Sequence, residues 1–245
     1  MNSKSSNKNQ SLKNQKTEAK IPASKRKRAL EIINELNKLY PHSDKDMNFL
    51  SFRNNFELLI MTILSAQTTD ANVNSVRDVL FDTYPTPYDL ALADQAELEQ
   101  IIRPTGFYKT KSKNIIKTSE MLCEFYGGVV PCSMEDLLTL SGVGRKTANI
   151  VLNQGFGHVE GIAVDTHVAR LSKRFGFTDK NDAGLIEIDL MNLFSEEHWK
   201  DINYLFIKHG REICSARSPK CDICTLKKLC DFYKFNNNNS NENFK

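Results

Sequence analysis

Residues 140–149 read LSGVGRKTAN and lie between two segments whose apolar residues recur at helical spacing. Gly142 and Gly144 allow the positive φ angles that a tight turn between two helices requires. The stretch also resembles a nucleotide-binding P-loop, but Arg145 separates Gly144 from Lys146, and a helix rather than a strand precedes it. The pattern therefore predicts a helix-hairpin-helix whose backbone N–H groups grip a phosphate.

The rest of the chain is also patterned for helices, and no segment alternates as a strand does. Apolar residues recur three and four positions apart in six further segments: 29–40, 56–64, 73–81, 115–125, 185–194 and 199–213. Ser133 is expected to cap a helix that begins with Glu135 and Asp136 in its first turn. We therefore predict an all-α fold with roughly ten short helices.

Composition and length limit the class of protein. The chain has 245 residues, 40% of them hydrophobic and 26% charged, which suits one large or two small folded domains. No apolar run approaches the ~20 residues that a membrane span needs, and the first residues lack the apolar segment of a secretory signal. We expect an intracellular protein with no membrane partner.

The net charge of +3 is unevenly distributed. Residues 1–28 carry nine Lys or Arg and one acid, which leaves 24 basic and 29 acidic residues in the rest of the chain. Nucleic-acid binding by the folded part must therefore depend on local clusters. Residues 1–24 and the Asn-rich residues 236–245 are predicted to be disordered, and the basic tail could bind a polyanion or serve only solubility.

Four of the six cysteines form a C-x6-C-x2-C-x5-C run, which indicates one metal centre. Disulfides are the less favoured interpretation for an intracellular chain. The spacing leaves zinc and an iron-sulfur cluster open, and broad visible absorption would distinguish the two. The predicted ligands are Cys214, Cys221, Cys224 and Cys230.

The loop between the first two cysteines displays Arg217 and Lys220 without a neighbouring acid. A loop held at both ends by metal-bound sulfurs is rigid, so its cations could contact phosphates. They could equally be solvated and offset the negative charge of the metal centre.

Lys146 and Asp165 are the candidate catalytic pair. A cation in the first turn of a helix opposes the macrodipole, which favours the neutral amine that a nucleophile requires. Asp165 opens another helix in VDTH (164–167), where it could cap the helix and also stabilise a positive charge. Taken alone, Lys146 could also be a phosphate contact or a surface lysine.

Four motifs, in this order and spacing, resemble the endonuclease III family of DNA glycosylases over residues 25–234. They are LSAQTTD (64–70), LSGVGRKTAN (140–149), VDTH (164–167) and the cysteine run. The resemblance implies an all-α, two-domain fold with a DNA cleft between the domains. One domain is a six-helix barrel carrying the hairpin, here 49–159; the other joins 25–48 to 160–235 and holds a [4Fe-4S] cluster.

The same resemblance implies the chemistry. A damaged base is extruded from duplex DNA, Lys146 attacks the sugar C1′ to form a Schiff base, and β-elimination cleaves the strand. Asp165 would stabilise the positive charge on the sugar. The implied partner is double-stranded DNA containing oxidised pyrimidines or abasic sites, bound by a monomeric enzyme. The compartment would be the bacterial cytoplasm at the nucleoid, or a eukaryotic nucleus or mitochondrion.

The resemblance to the family also implies further DNA contacts. Gln67 would fill the gap left by the extruded base, and Phe107 stands where the family often has an aliphatic wedge. Gly142, Val143, Gly144 and Arg145 would bind phosphate, together with Arg217 and Lys220. A basic face is also predicted from Lys109, Lys111, Lys113 and Lys117, since no acid occurs from 101 to 119.

Two other functions remain open at this point. An adenine glycosylase of the same superfamily usually lacks a lysine at position 146 and has a further C-terminal domain. A non-catalytic helix-hairpin-helix module with a zinc site would bind DNA structure alone, but the joint presence of Lys146 and Asp165 argues against it.

Overall fold

The computed structural model describes residues 21–43 and 46–242, and all regular elements in these ranges are helical. The predicted all-α class is confirmed. There are thirteen α-helices in the described ranges rather than about ten, partly because the segment 73–81 divides into two helices around Ser75 and Val76. The helices are α1 (Ala23–Leu39), α2 (Asn55–Leu64), α3 (Asp70–Asn74), α4 (Arg77–Thr83), α5 (Pro87–Ala91), α6 (Gln95–Ile102), α7 (Tyr108–Tyr126), α8 (Met134–Leu137), α9 (Arg145–Ile150), α10 (Thr166–Arg174), α11 (Ala183–Leu193), α12 (Trp199–Glu212) and α13 (Asp231–Glu242).

Many of the short helices begin at a side chain that caps the first turn. The Ser133 side chain accepts a hydrogen bond from Asp136 N and starts α8, as predicted. Thr86 and Asp89 form a reciprocal capping box at α5. Such caps satisfy N–H groups that have no partner within the helix, and so allow helices of only four or five residues to begin at defined positions.

The buried apolar side chains form two cores. The central core contains buried residues between Phe56 and Leu152 and surrounds α2, in which every residue from Phe56 to Leu64 is buried. A helix that is apolar on all sides must be enclosed by others. The terminal core joins buried residues of 29–47 to those of 162–230. The hairpin therefore belongs to the central core, and the cysteine run to the terminal core.

Both chain ends differ from the predicted disorder where they are described. Residues 1–20 lie outside the described residues, but α1 already begins at Ala23. At the other end, α13 continues to Glu242, so residues 236–242 are helical, while 243–245 lie outside the described range. The start of α13 is anchored by Arg28, whose Nη1 lies 2.6 Å from Asp231 Oδ1.

None of the helices in the described residues combines the length and apolar character needed to cross a membrane.

Candidate active site

The hairpin turn at 141–144 is supported by α7. Gly142 has a φ of 73°, and a Cβ there would lie 2.8 Å from Asn114 Nδ2. Ser141 Oγ donates to Asn114 Oδ1 at 3.2 Å, and Thr118 Oγ1 donates to the Ser141 carbonyl at 2.7 Å. Position 142 therefore needs glycine both for its backbone angle and for the close approach of Asn114.

The turn leads directly into α9. Val143 is buried in the central core, so its side chain anchors the turn while the exposed Gly142 and Gly144 flank it. Gly144 is the N-cap residue in an extended conformation, with no side-chain hydrogen bond, and a Cβ there would meet nothing within 4 Å. The N–H groups at the start of α9 thus face open space at Gly144.

Arg145, which is predicted to contact DNA, forms an ion pair within the protein. Its Nε donates to Glu187 Oε2 at 2.7 Å and its Nη2 to Glu187 Oε1 at 2.9 Å. Asn149 Nδ2 also donates to Glu187 Oε1, at 2.7 Å. The guanidinium thus forms a bidentate ion pair with α11, and the phosphate contact of Arg145 stays a prediction.

The predicted catalytic residues stand at the starts of two helices. Lys146 is exposed in the first turn of α9. Asp165 is half-buried and caps α10, because its Oδ1 accepts from His167 N and Val168 N, both at 2.8 Å. The cap predicted for Asp165 is therefore present.

His167 lies within the electrostatic reach of both candidate residues. Burial lowers the pKa of His167; the Asp165 carboxylate opposes this, and the cations of Arg170, Arg211 and Lys146 lower the pKa further. Lys146 and Asp165 stand at the starts of helices that contribute to different cores, yet both are close enough to His167 to affect its pKa. His167 Nδ1 is 3.1 Å from Arg170 Nη2.

Gln67 and Phe107 share an unusual backbone conformation. Among the described residues they are the only non-glycine positions with positive φ, 54° and 49°. Each such angle costs about 1–2 kcal/mol, and strain of this kind concentrates at functional sites. Both side chains are exposed, 66% in the case of Phe107. Their loops are near each other because α3 packs against the 3-10 turn Arg103–Thr105.

Lys111 does not contribute to the predicted basic face. It is only 4% exposed, and its Nζ donates to the Thr105 carbonyl at 2.8 Å, which ties α7 to the turn before Phe107. Burial lowers the pKa of Lys111. Lys109, Lys113 and Lys117 are exposed, and Lys117 also pairs with Glu120 at 2.9 Å. The basic face therefore has three lysines rather than four.

All four predicted ligand thiols line one cavity of about 320 Å³, which includes some open space at its mouth. All are free thiols. Burial raises the pKa values of Cys221, Cys224 and Cys230. Within the described ranges, no three side chains of the metal-binding types converge closely enough to hold a single metal ion.

Arg174 and His209 border this cavity and were not identified from the sequence. Arg174 Nη1 lies 3.0 Å from Cys214 Sγ and donates to the Ser215 carbonyl at 2.8 Å. His209 Nε2 is 3.6 Å from Cys224 Sγ, and burial lowers the pKa of His209 to about 4. A cation and a neutral imidazole therefore contact two of the sulfurs.

The loop after Cys214 is held in a compact form. Ser215 Oγ donates to the Ser218 carbonyl at 2.7 Å, and Lys220 N donates to the Ile213 carbonyl at 2.9 Å. The side chains of Arg217 and Lys220 are exposed, and neither makes a salt bridge within the described part of the chain. Both cations are thus available to an anionic partner.

Comparison with known proteins connects this geometry to a family. Residues 60–196 match the HhH-GPD superfamily of base excision DNA repair proteins. The chain is 47% identical over 208 residues to the endonuclease III of Synechocystis sp., covering 85% of this chain and 94% of that protein. It is 41% identical over 204 residues to the endonuclease III of Thermotoga maritima, covering 83% and 92%. A trapped covalent endonuclease III–DNA intermediate has a TM-score of 0.79 at 42% identity, covering 86% of this chain and 98% of that one.

Proposed function

Because this chain belongs to the endonuclease III family within the HhH-GPD superfamily, we propose that it excises oxidised pyrimidines from duplex DNA and cleaves the strand at the abasic site. The family predicted from the sequence motifs is confirmed, and the enzyme is a bifunctional DNA glycosylase and abasic-site lyase. The observation that carries the proposal is that an exposed Lys146 and a helix-capping Asp165 are both close enough to His167 to affect its pKa.

Lys146 is the proposed nucleophile. Its neutral Nζ attacks C1′ of the extruded nucleoside, the bond from C1′ to the base breaks, and the base leaves with the bonding electron pair and takes up a proton. The C1′-bound amine then loses one proton, and the C1′–O4′ bond breaks as the nitrogen lone pair forms the C=N bond; O4′ takes up a proton, and the product is a protonated Schiff base. Removal of a 2′ proton expels the 3′ phosphate by β-elimination, which cleaves the strand.

Asp165 is proposed to stabilise the positive charge that develops on the sugar as the base departs. Its Oδ1 is occupied by two backbone N–H groups, which fixes the orientation of the carboxylate. A group held in this way needs no reorganisation when charge develops in the transition state. The same carboxylate can assist proton transfer from the amine.

Gln67 and Phe107 are proposed to occupy the duplex after the nucleotide is extruded. Their strained positive-φ conformations direct two exposed side chains from neighbouring loops. An aromatic ring inserted between base pairs compensates for the stacking lost by the extruded base. The bond from Lys111 to Thr105 supports the loop that carries Phe107.

The remaining proposed contacts are to the phosphate backbone. The open backbone at Gly142 to Gly144 would bind one phosphate, and Arg217 and Lys220 would bind another. Lys109 and Lys113 are exposed on α7 beyond Phe107 and could extend the basic surface. Such contacts fix the position of the protein on DNA without reading its sequence.

We propose that the four cysteines hold a [4Fe-4S] cluster. The four cysteines line one cavity, which fits a group held by four thiolates, and the family resemblance implies that this group is a [4Fe-4S] cluster. When bound, such a group cross-links residues 214 and 230 and rigidifies the loop carrying Arg217 and Lys220. Arg174 would offset part of its negative charge.

The substrate class is tested with labelled duplexes that contain thymine glycol, an abasic site, 8-oxoguanine or adenine opposite 8-oxoguanine. We expect the duplexes with thymine glycol and with an abasic site to be cleaved at least about tenfold faster than the two that contain 8-oxoguanine, because a pocket that recognises one class of base discriminates against another to this extent. Faster release of adenine opposite 8-oxoguanine would support an adenine glycosylase instead. DNA binding without cleavage of any duplex would support the non-catalytic module.

The hairpin contact is tested by two matched glycine substitutions. Gly144→Ala is expected to fold normally, because a Cβ meets nothing within 4 Å, but to weaken DNA binding because the methyl group occupies the space of the phosphate. Gly142→Ala is expected to cost about 1–2 kcal/mol of stability through its positive φ, in addition to the clash with Asn114. Thermal unfolding and binding titrations are the measurements; unchanged binding by Gly144→Ala would contradict the phosphate contact.

A further inference from the structure

Glu187 is a buried acid that joins three elements of the molecule. It is 3% exposed and lies on α11, whose neighbouring side chains Ile186 and Leu190 belong to the terminal core. Its carboxylate reaches α9, where it accepts from Arg145 and Asn149. Because α9 contributes Ala148 to the central core, this carboxylate connects the two cores directly.

The two partners of Glu187 flank the nucleophile on α9. Arg145 precedes Lys146 by one residue and Asn149 follows it by three, so the three bonds hold α9 on both sides of Lys146. Distances of 2.7–2.9 Å and a bidentate guanidinium define both the position and the rotation of the helix. A single surface contact would leave the rotation free.

The chain leading to Asp165 is packed against the same carboxylate. A Cβ at Gly161 would fall within 3 Å of Glu187 Oε1, so the backbone at Gly161, four residues before Asp165, packs closely against the carboxylate. Asp165 itself starts α10, whose Val168 and Leu171 lie in the terminal core with α11. One carboxylate therefore contacts both the helix of Lys146 and the segment that ends in Asp165.

We infer that Glu187 is a positioning residue that sets the placement of Lys146 relative to Asp165, an inference that rests on the proposed function. The carboxylate does not touch the sugar. It acts through Arg145 and Asn149, the two side chains of α9 that it holds. We call the hydrogen bonds from Arg145 and Asn149 to Glu187 the Glu187 clamp. Because small displacements of a nucleophile strongly affect its rate, loss of this clamp should slow the chemical step more than it weakens DNA binding.

The test compares Glu187→Ala and Glu187→Gln with Glu57→Gln. Glu57 is a matched control, since it is also 3% exposed and pairs with an arginine, Arg77, at 2.8 Å. It lies on α2 and, within the described residues, makes no hydrogen bond or salt bridge to α9 or to the 161–165 segment. Three quantities are measured for each variant: the thermal midpoint, the Kd for a duplex with a non-cleavable abasic analogue, and the single-turnover rate of adduct trapping by borohydride on an abasic-site duplex.

We expect Glu187→Ala to lower the single-turnover rate by roughly tenfold to a hundredfold at unchanged Kd. Glu187→Gln should fall between this variant and wild type, because an amide oxygen can retain part of the hydrogen bonding. Glu57→Gln should keep the wild-type rate even at an equal loss of thermal stability. A wild-type rate in Glu187→Ala, or an equal rate loss in Glu57→Gln at matched stability, would overturn the inference.

Arg145→Gln provides a second measurement should Glu187→Ala fail to fold. We expect a lower single-turnover rate at an unchanged Kd for DNA. A higher Kd at an unchanged rate would instead indicate that Arg145 contacts DNA, and would overturn the inference about Glu187. A wild-type protein that forms no adduct would overturn the proposed function, and with it this inference. If the wild-type protein forms the adduct and Glu187→Ala forms it at the same rate, only the inference about Glu187 is overturned.

Discussion

Lys146→Gln is expected to abolish the covalent adduct that borohydride traps between the wild-type protein and an abasic-site duplex. Glutamine keeps a polar, unbranched side chain that is one atom shorter but has no amine to form a Schiff base, so no reducible bond to C1′ can arise. Loss of the nucleophile should lower strand cleavage by on the order of 10³-fold or more. Denaturing electrophoresis of the labelled duplex measures both effects.

Lys146→Arg separates the nucleophile from a phosphate contact. Arginine keeps the positive charge at the start of α9 but is always protonated, so it should bind DNA without forming the adduct. Lys38→Gln is the matched control, because Lys38 is an exposed lysine on α1 whose Nζ pairs, among the described residues, only with Glu35. An adduct of undiminished yield in Lys146→Gln would remove Lys146 from the nucleophile role, and weakened binding alone would make it a phosphate contact.

The features that could be predicted from the sequence are those set by neighbouring residues. Gly142 could be placed in a turn because a positive φ is unfavourable for other residues, and the observed φ is 73°. Ser133 and Asp165 could be identified as caps because the first N–H groups of a helix have no partner within it. Side-chain oxygens such as theirs accept hydrogen bonds from those N–H groups, which lie within three residues. The proximity of four cysteines in sequence likewise predicted that their sulfurs line one cavity.

The features that could not be predicted depend on residues distant in sequence. The ion pair of Arg145 could not be predicted, because its partner, Glu187, lies 42 positions later. The only local signal was an acid within the apolar segment LIEIDL, where a buried partner could have been expected. Lys111 was placed on the basic face because no acid occurs from 101 to 119, but its Nζ is buried and donates to the Thr105 carbonyl; this is a matter of packing rather than of distance along the chain.

Backbone strain could not be predicted from the sequence either. Gln67 and Phe107 were selected by family resemblance, but neither residue type predicts a positive φ. The π-helical turn Val151–Gly155 after α9 was equally unexpected, since the apolar spacing there fits an ordinary helix. Strain and π-helical turns are maintained by surrounding packing, and packing is not visible in local spacing.

Asp165→Asn is expected to retain the fold and DNA binding but to lower base excision by on the order of 10²- to 10³-fold. Asparagine is as good an N-cap as aspartate, and its Oδ1 can accept the same two bonds from His167 N and Val168 N. The substitution therefore removes the negative charge and little else. The measurements are the thermal midpoint, the Kd for an abasic-analogue duplex and the single-turnover rate of base release.

Asp165→Ala completes the comparison because it removes the cap together with the charge. It should show the same loss of excision as Asp165→Asn and, in addition, about 1 kcal/mol of lost stability. Asp182→Asn is a matched control, since Asp182 caps α11 through Leu185 N at 3.0 Å and stands at no proposed catalytic position. If Asp165→Asn excised bases at the wild-type rate while Asp165→Ala lost both stability and activity, Asp165 would be a structural cap and the stabilising charge would have to come from another group.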